Sequence, residues 1–348
     1  MDIVKIFLPT TVAFIIGIAI TPIISGFLYK HKMWKKKSVV VAMDGGVATI
    51  TQKLHNDEEK KTPRMGGIII WVSALITIFL FYLGSVIGGP VLDKLNFLSR
   101  NQTWLLVFTL IVGALVGLID DYFSVTERYD QKAGGLSSKK RLLAVFIISL
   151  IGAWLFYSKL EMTEIIIPFV GIWDAGFLFI LFFIIVTLGT YSGGVIDGLD
   201  GLSGGVFSII FSAYGLIATL QSQFDLSAFC FVLVGGLLAF LWFNIPPARF
   251  YMSETGTMSL TITLVVVAFL TKQVLILPII AFPLVISSAS SSIQLLSKKF
   301  RNGKKVFLVA PLHHHFQALG WPAYKVTMRY WVIGIICASI GIIISLIG

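Results

Sequence analysis

Ten apolar stretches alternate with short polar segments along the chain. They fall at 6–29, 66–87, 103–119, 142–158, 175–191, 205–221, 227–243, 258–271, 274–297 and 327–347. A helix needs roughly 20 residues to cross a bilayer, so the shorter stretches must tilt or extend into their flanks. The pattern predicts an all-α polytopic membrane protein with about ten transmembrane helices, forming a single domain over residues 1–348.

The basic residues predict how these helices are oriented. Ten crossings place both termini on one side of the membrane and five loops on the other, at about 30–65, 120–141, 192–204, 244–257 and 298–326. These five loops hold 21 of the 27 lysine and arginine residues. Positive residues are enriched in cytoplasmic loops. We therefore expect the five loops in the cytoplasm and both termini outside.

Composition agrees with a membrane protein. The chain is 57% apolar and only 13% charged, whereas soluble domains carry about 25% charged residues. The formal net charge of +10 is explained by the loop placement, so no nucleic-acid partner is expected. The two cysteines lie in apolar stretches and give no disulfide or zinc pattern.

The ninth stretch combines prolines with a row of serines. Pro278 and Pro283 predict a kink, because proline removes a backbone donor. The serines between 287 and 292 can satisfy the freed carbonyls. Such a helix could border a groove for a lipid headgroup, or could simply be a kinked packing helix.

Acidic residues gather in the loops predicted to be cytoplasmic. Asp197 and Asp200 lie in a glycine-rich loop, and a spacing of three puts them on one face of a helical turn. Asp120 and Asp121 are adjacent and must repel each other unless a cation or proton intervenes. Glu254 is the fifth acid of this candidate set. Carboxylates of this kind suit magnesium, which takes one or two of them plus substrate phosphate.

Candidate phosphate-binding groups lie in the same loops. Lys61 and Thr62 precede Gly66 and Gly67. Ammonium groups and free backbone N–H groups in this segment could bind phosphate, or the segment could be a basic anchor at the membrane edge. Consecutive histidines rarely form one zinc site, but beside phosphates they can donate hydrogen bonds or move protons; these are His313, His314 and His315.

Taken together, these groups predict magnesium-dependent phosphoryl transfer at the membrane surface. A transporter is a poorer match, because its charges should lie near mid-bilayer. Tyr251 could stack on a nucleobase, although an aromatic at this position also anchors a helix at the interface.

Taken in their order along the chain, these motifs resemble those of the polyprenyl-phosphate hexose-1-phosphate transferases. A triple histidine with Gly320-Trp321 and Arg329-Tyr330-Trp331 behind it points to the MraY branch, the phospho-N-acetylmuramoyl-pentapeptide transferases. The other matching segments are Lys61–Gly67, Asp120–Tyr122, Asp197–Leu202, Phe243-Asn244 and Pro311–Phe316. The resemblance spans nearly the whole chain, and the combination of motifs is specific.

The resemblance implies a bacterial inner-membrane enzyme, usually a homodimer, with a cytoplasmic active site. Such enzymes use Mg²⁺ to move phospho-MurNAc-pentapeptide from UDP to undecaprenyl phosphate, giving lipid I and UMP. By this resemblance Glu254 binds the metal, and the acid pair activates the lipid phosphate. We expect Asp120 as the base, with Asp121, Asp197 and His314 also in the catalytic set.

The remaining candidates are assigned to substrate. The resemblance places Leu199, Asp200 and Tyr251 at the uridine. Lys61 and His315 would hold the diphosphate with His314. The other predicted substrate-binding residues are Thr62, Asn244, Ser253, Lys139 and His313.

Several positions depart from the family pattern. Glu254 and Ser253 stand where aspartate and glycine are usual, and Tyr191 and Gly194 stand where asparagines are usual. Ser124 replaces a lysine, so Lys132, Lys139 or Lys140 would make its phosphate contact. These changes leave open a transferase for UDP-GlcNAc or another UDP-amino sugar, a catalytically silent homologue, and a route through an aspartyl intermediate. A transporter or flippase for a lipid-linked sugar is the alternative from another class.

Overall fold

Long apolar helices form almost the whole structure. The computed structural model describes residues 2–34, 61–98, 101–126 and 135–348. Within these ranges, nine helices are long and apolar enough to span a membrane, and a bent pair would make a tenth if its two segments form one span. The helices are α1 (Asp2–Lys30), α2 (Ile68–Ile87), α3 (Gly89–Asp93), α4 (Asn101–Thr126), α5 (Ser138–Ser158), α6 (Leu178–Ser192), α7 (Leu202–Leu220), α8 (Phe224–Asn244), α9 (Ser253–Leu270), α10 (Leu277–Ile280), α11 (Phe282–Phe300), α12 (Leu312–Ala318) and α13 (Ala323–Ile347).

The predicted all-α polytopic class is confirmed, and each predicted stretch contains one of the long apolar helices or the bent pair. The additions are the short helices α3 and α12 and a two-stranded antiparallel hairpin of β1 (Glu164–Ile167) and β2 (Gly171–Asp174). The hairpin is too short to give a hydropathy signal. Gly171 begins its second strand with a φ of 124°, a conformation that favours glycine.

The predicted kink in the ninth span is confirmed. The segments Val274–Ile280 and Phe282–Phe300 meet at 81°. Pro278 and Pro283 each lie in the first turn of a helix, α10 and α11, where a missing N–H costs no intrahelical bond.

The polar face of α11 holds the loop that follows it. The Gln294 Oε1 atom accepts hydrogen bonds from the backbone N–H groups of Val306 (2.9 Å) and Phe307 (3.0 Å). Ser290 Oγ accepts one from Leu312 N at 2.9 Å. These contacts favour the packing interpretation of the serine row, because the face is occupied by backbone.

Helix α9 lies at the centre of the bundle, with 94% of its residues buried. Glycines on α4 allow that helix to approach closely. A Cβ on Gly117 would lie 2.6 Å from the carbonyl carbon of Glu254, and one on Gly113 would lie 2.8 Å from the Cα of Ser259. The sequence of α4 therefore sets the position of the amino end of α9.

We expect Gly117→Ala to destabilise the protein by about 1–3 kcal/mol, because the methyl group would overlap backbone that cannot move aside. Thermal unfolding in detergent measures this effect. Gly189→Ala in α6 is the matched control, since nothing lies within 4 Å of the added carbon and helix propensity favours alanine by up to about 1 kcal/mol. Equal effects of the two substitutions would contradict the packing argument.

The two ends of the bundle differ in chemistry. Both chain termini lie at one end: Lys5 pairs with Asp225 at the start of α8, and Phe169 N donates to Gly348 O. The hairpin and a cavity of about 560 Å³ beside Lys272 occupy this end. The acids predicted to act in catalysis lie at the opposite end.

Candidate active site

The amino end of α9 is held by two carboxylates from distant parts of the chain. Ser253 N donates to Asp197 Oδ2 at 2.7 Å, and Thr255 N donates to Asp121 Oδ2 at 2.9 Å. The first N–H groups of a helix have no intrahelical acceptor and carry partial positive charge. Both aspartates thus cap the helix, and Glu254 lies between the two capped residues.

Asp121 is engaged on both oxygens. Its Oδ2 atom also accepts from Thr255 Oγ1 at 2.7 Å, and its Oδ1 atom lies 3.3 Å from both Nε and Nη2 of Arg64. The side chain is fully buried. These contacts fix α4, α9 and the segment before α2 to one another.

Asp120 and Glu254 lie on either side of one guanidinium group. The Nη1 atom of Arg141 is 2.7 Å from Glu254 Oε1 and 3.9 Å from Asp120 Oδ2. Asp120 Oδ1 accepts from Leu136 N at 2.7 Å, and the Tyr191 hydroxyl hydrogen-bonds with Glu254. A cation therefore stands between two carboxylates that come from α4 and α9.

Arg141 is not among the residues predicted from the sequence. The predicted residue is Lys139, which is exposed on the same turn of α5. Three consecutive basic residues point in three directions around a helix, and charge alone does not tell which one faces the site. The prediction for Lys132 lies outside the described residues.

The pair of Asp120 and Glu254 fits a divalent cation that binds together with substrate. Among the described residues, no three histidine, cysteine or acidic side chains are grouped as a preformed metal site. Magnesium needs only one or two carboxylates when phosphate oxygens and water supply the rest. Arg141 marks the place where these carboxylates already share a positive charge.

Asp197 is also held on both oxygens. Besides Ser253 N, it accepts a hydrogen bond from Ser203 Oγ at 2.7 Å. Burial raises the pKa of Asp197, and these two hydrogen bonds work against that increase.

The three histidines lie on the short helix α12, which packs against the Asp197 loop. A Cβ on Gly198 would lie 2.5 Å from Nε2 of His313 and 2.8 Å from Nε2 of His314, so only glycine fits there. His314 Nδ1 contacts Gln317 Oε1 at 2.8 Å. His315 takes another direction, and its Nδ1 atom accepts from Leu308 N at 3.2 Å.

His313 is completely buried, and neither ring nitrogen has a hydrogen-bond partner within the described part of the chain. Burial, with His314 as a second cause, lowers the pKa of His313 well below its usual 6.5. The ring is therefore neutral at neutral pH.

This shift predicts that stability falls as the pH drops below 6.5, because the unfolded chain then binds a proton that the folded chain does not. We expect wild type to lose more thermal stability than His313→Asn between about pH 7.5 and 5.5. The difference between the two proteins isolates the imidazole. Asp197 acts with the opposite sign, since its raised pKa gives stability that is lost as the pH rises through that pKa.

His31→Asn is the control, because His31 is exposed just after α1. An equal pH dependence of stability in wild type and His313→Asn would show that burial of His313 carries no protonation cost.

The residues predicted to hold uridine lie on a connected set of loops. Asn244 is buried; its Oδ1 atom accepts from Gly201 N at 2.9 Å and its Nδ2 atom donates to Phe250 O at 2.8 Å. Asp200 Oδ2 accepts from Ala248 N at 2.9 Å. Leu199, the residue before Asp200, is buried. The amide of Asn244 thus ties the Asp200 loop to the segment that leads into α9.

The N–H groups of Gly66 and Gly67 are not free, so of the two interpretations of this segment, phosphate binding through these groups is wrong. They donate to Tyr251 O at 2.8 Å and Met252 O at 3.2 Å. A Cβ on Gly67 would lie 2.5 Å from the Cα of Gly256. The two glycines serve close backbone packing. Lys61 before them is exposed and Thr62 is half-buried.

Comparisons with known proteins show the family of this chain. The family model described as "Glycosyl transferase family 4" matches residues 103–272, which include Asp120, Asp197 and Glu254. A phospho-N-acetylmuramoyl-pentapeptide-transferase of Listeria innocua is 36% identical over 335 residues, covering 95% of each chain. The chain belongs to this transferase family. Similar family members come from Listeria welshimeri, 35% identical over 95% of each chain, and Bacillus anthracis, 35% identical over 96% of each chain.

Proposed function

We propose that this protein transfers phospho-MurNAc-pentapeptide from UDP to a polyprenyl phosphate, releasing UMP and forming lipid I for peptidoglycan. One observation supports this most directly. The amino end of α9 brings together three acids that are far apart in the sequence, Asp120, Asp197 and Glu254. Helix α12, which carries the three histidines, packs against the Asp197 loop.

In this proposal Asp120 accepts the proton of the attacking lipid phosphate. Its hydrogen bond from Leu136 N orients one oxygen and leaves Oδ2 toward Arg141 and Glu254. Asp121 and Asp197 position Glu254 by capping α9. His313 and His314 offer their Nε2 atoms near Gly198, where His314 can donate to the diphosphate. The roles of Lys61 and His315 in holding the diphosphate stay predictions. The His315 ring is turned toward Leu308.

Glu254, with Asp120, would hold the magnesium ion. When bound, the ion neutralises charge on the diphosphate and so favours departure of UMP. Glu254 replaces the shorter aspartate that the resemblance predicts. Its longer side chain reaches Arg141 and the Tyr191 hydroxyl.

The proposed location is the bacterial inner membrane, with the acids facing the cytoplasm. The charge distribution supports this orientation, because the loops at the acidic end carry most of the lysine and arginine residues. The apolar residues exposed around the bundle support contact with membrane lipids. A homodimer is proposed from the family resemblance alone.

The test is UMP release by the purified protein from UDP-MurNAc-pentapeptide and undecaprenyl phosphate, with Mg²⁺ and with EDTA. We expect release only with Mg²⁺, together with a lipid-linked product. Glu254→Gln should abolish release, and Asp225→Asn at the opposite end should not change it.

A parallel assay with UDP-GlcNAc separates the donor alternatives. UMP release from UDP-GlcNAc alone would replace the proposed donor. Movement of a lipid-linked sugar without UMP release would identify a transporter, and the absence of both activities would identify a silent homologue.

A further inference from the structure

Arg141 occupies the place where the proposed function requires a metal ion. Its Nη1 atom lies 2.7 Å from Glu254 and 3.9 Å from Asp120. Both carboxylates come from other helices, so the guanidinium joins α5 to α4 and α9 through charge. An ion coordinated by the same oxygens could not share this space with Nη1, because the two positive groups would repel each other there.

The Arg141 side chain is not fully satisfied in this position. Its Nε atom is buried, and within the described residues it has no hydrogen-bond partner. The side chain remains 26% exposed, and that of Glu254 remains 20% exposed. A buried donor without a partner costs free energy, and partial exposure leaves a route for both the side chain and an ion.

Glu254 and Asp120 each have a polar partner other than Arg141. The Tyr191 hydroxyl hydrogen-bonds with its carboxylate, so Glu254 keeps an orienting partner when Arg141 leaves. Asp120 keeps Leu136 N on Oδ1. The two carboxylates are therefore held by neighbours that do not depend on the guanidinium.

We propose that Arg141 is a gate for the metal: its guanidinium and a divalent cation compete for Glu254 and Asp120, and metal entry requires Arg141 to leave Glu254. This inference rests on the proposed function for the identity of the ion. The displaced guanidinium, five N–H donors on a flexible stem, is then free to bind phosphate oxygens of the donor substrate. Ion and substrate binding are coupled in this way without a large rearrangement.

The experiment measures Mn²⁺ binding, as a spectroscopic substitute for Mg²⁺, by electron paramagnetic resonance on the full-length protein in detergent without substrates. We expect Arg141→Gln to bind Mn²⁺ about tenfold more tightly than wild type, which corresponds to about 1.4 kcal/mol. Arg141→Lys should fall between the two, since it keeps the charge and loses the forked donors.

Two further variants make the result specific. Lys30→Gln removes the same charge from an exposed position in the last turn of α1, so it should leave Mn²⁺ affinity within about twofold of wild type. Arg141→Gln combined with Glu254→Gln should lose the tighter binding, because the acceptor of the ion is gone. Circular dichroism confirms that each variant is folded, and Arg141→Lys provides the comparison should Arg141→Gln fail to fold.

Weaker or unchanged Mn²⁺ binding in Arg141→Gln would overturn the gate, since it would mean that the guanidinium supports the ion or does not contact its place. Equal tightening in Lys30→Gln would overturn it too, by showing a general charge effect. Neither outcome depends on UMP release, so failure of the gate and failure of the proposed reaction are distinguishable.

Discussion

Asp120→Asn should reduce UMP release by about 10²- to 10⁴-fold, the range that a general base contributes. The amide keeps an oxygen that can accept from Leu136 N, as Asp120 Oδ1 does at 2.7 Å, so the loop before α5 should stay in place. It cannot take a proton from a lipid phosphate. Initial rates at saturating donor and acceptor measure the loss, and unchanged thermal stability shows that the loss is chemical.

Asp225→Asn is the matched control. Asp225 pairs with Lys5 at the other end of the bundle, so the same chemical change there should leave turnover unaltered. Full activity in Asp120→Asn would show that Asp120 is not the base. The proposed base would then be another acid of the cluster.

Substitution of the neighbouring Asp121 should lower the free energy of unfolding, whereas substitution of Asp120 should lower turnover. We expect Asp121→Ala to destabilise the protein by about 3–5 kcal/mol, because it leaves Arg64 with an unpaired charge at a buried site. The substitution also removes the acceptor of Thr255 N and Thr255 Oγ1. Unfolding in detergent, followed by circular dichroism, measures the change in the free energy of unfolding.

Asp93→Ala is the control for Asp121→Ala. Asp93 is exposed in the short helix α3, and surface substitutions of this kind change stability by about 0.5 kcal/mol or less. A stable but inactive Asp121→Ala would assign Asp121 to chemistry and not to support. The two adjacent acids thus give separable readouts, turnover for Asp120 and unfolding for Asp121.

Hydropathy predicted the spans because the membrane imposes a length and an apolar composition on each of them. The bend between α10 and α11 was predictable as well, since Pro278 and Pro283 remove donors at fixed positions. The hairpin Glu164–Asp174 was not predictable in the same way, because its two strands have only four residues each. A turn with Gly171 is its only local signal.

Within the site, the sequence identified the acids and missed the cation that joins two of them. Acids in polar loops stand out against an apolar background, whereas Arg141 is one of three consecutive basic residues at a helix start. The direction of each depends on how α5 packs on α4 and α9. Pairing with Glu254 depends on tertiary structure across 113 residues of sequence.

Gly66 and Gly67 show another feature that the sequence alone does not determine. Phosphate binding through free N–H groups was one interpretation of this pair, but those groups donate to Tyr251 O and Met252 O. A glycine pair near a helix start signals close backbone approach, and the sequence does not say to what. Here the partner is the protein's own segment before α9.

The caps on α9 also have a consequence for how the protein is made. Thr255, which binds Asp121, is synthesised 134 residues after it, a delay on the order of ten seconds at common translation rates. Arg64 precedes Asp121 by 57 residues and is therefore the partner that a nascent chain can offer while the ribosome completes the later helices. Insertion of α9 then brings the second partner, so the acidic end of the bundle closes only late in biogenesis.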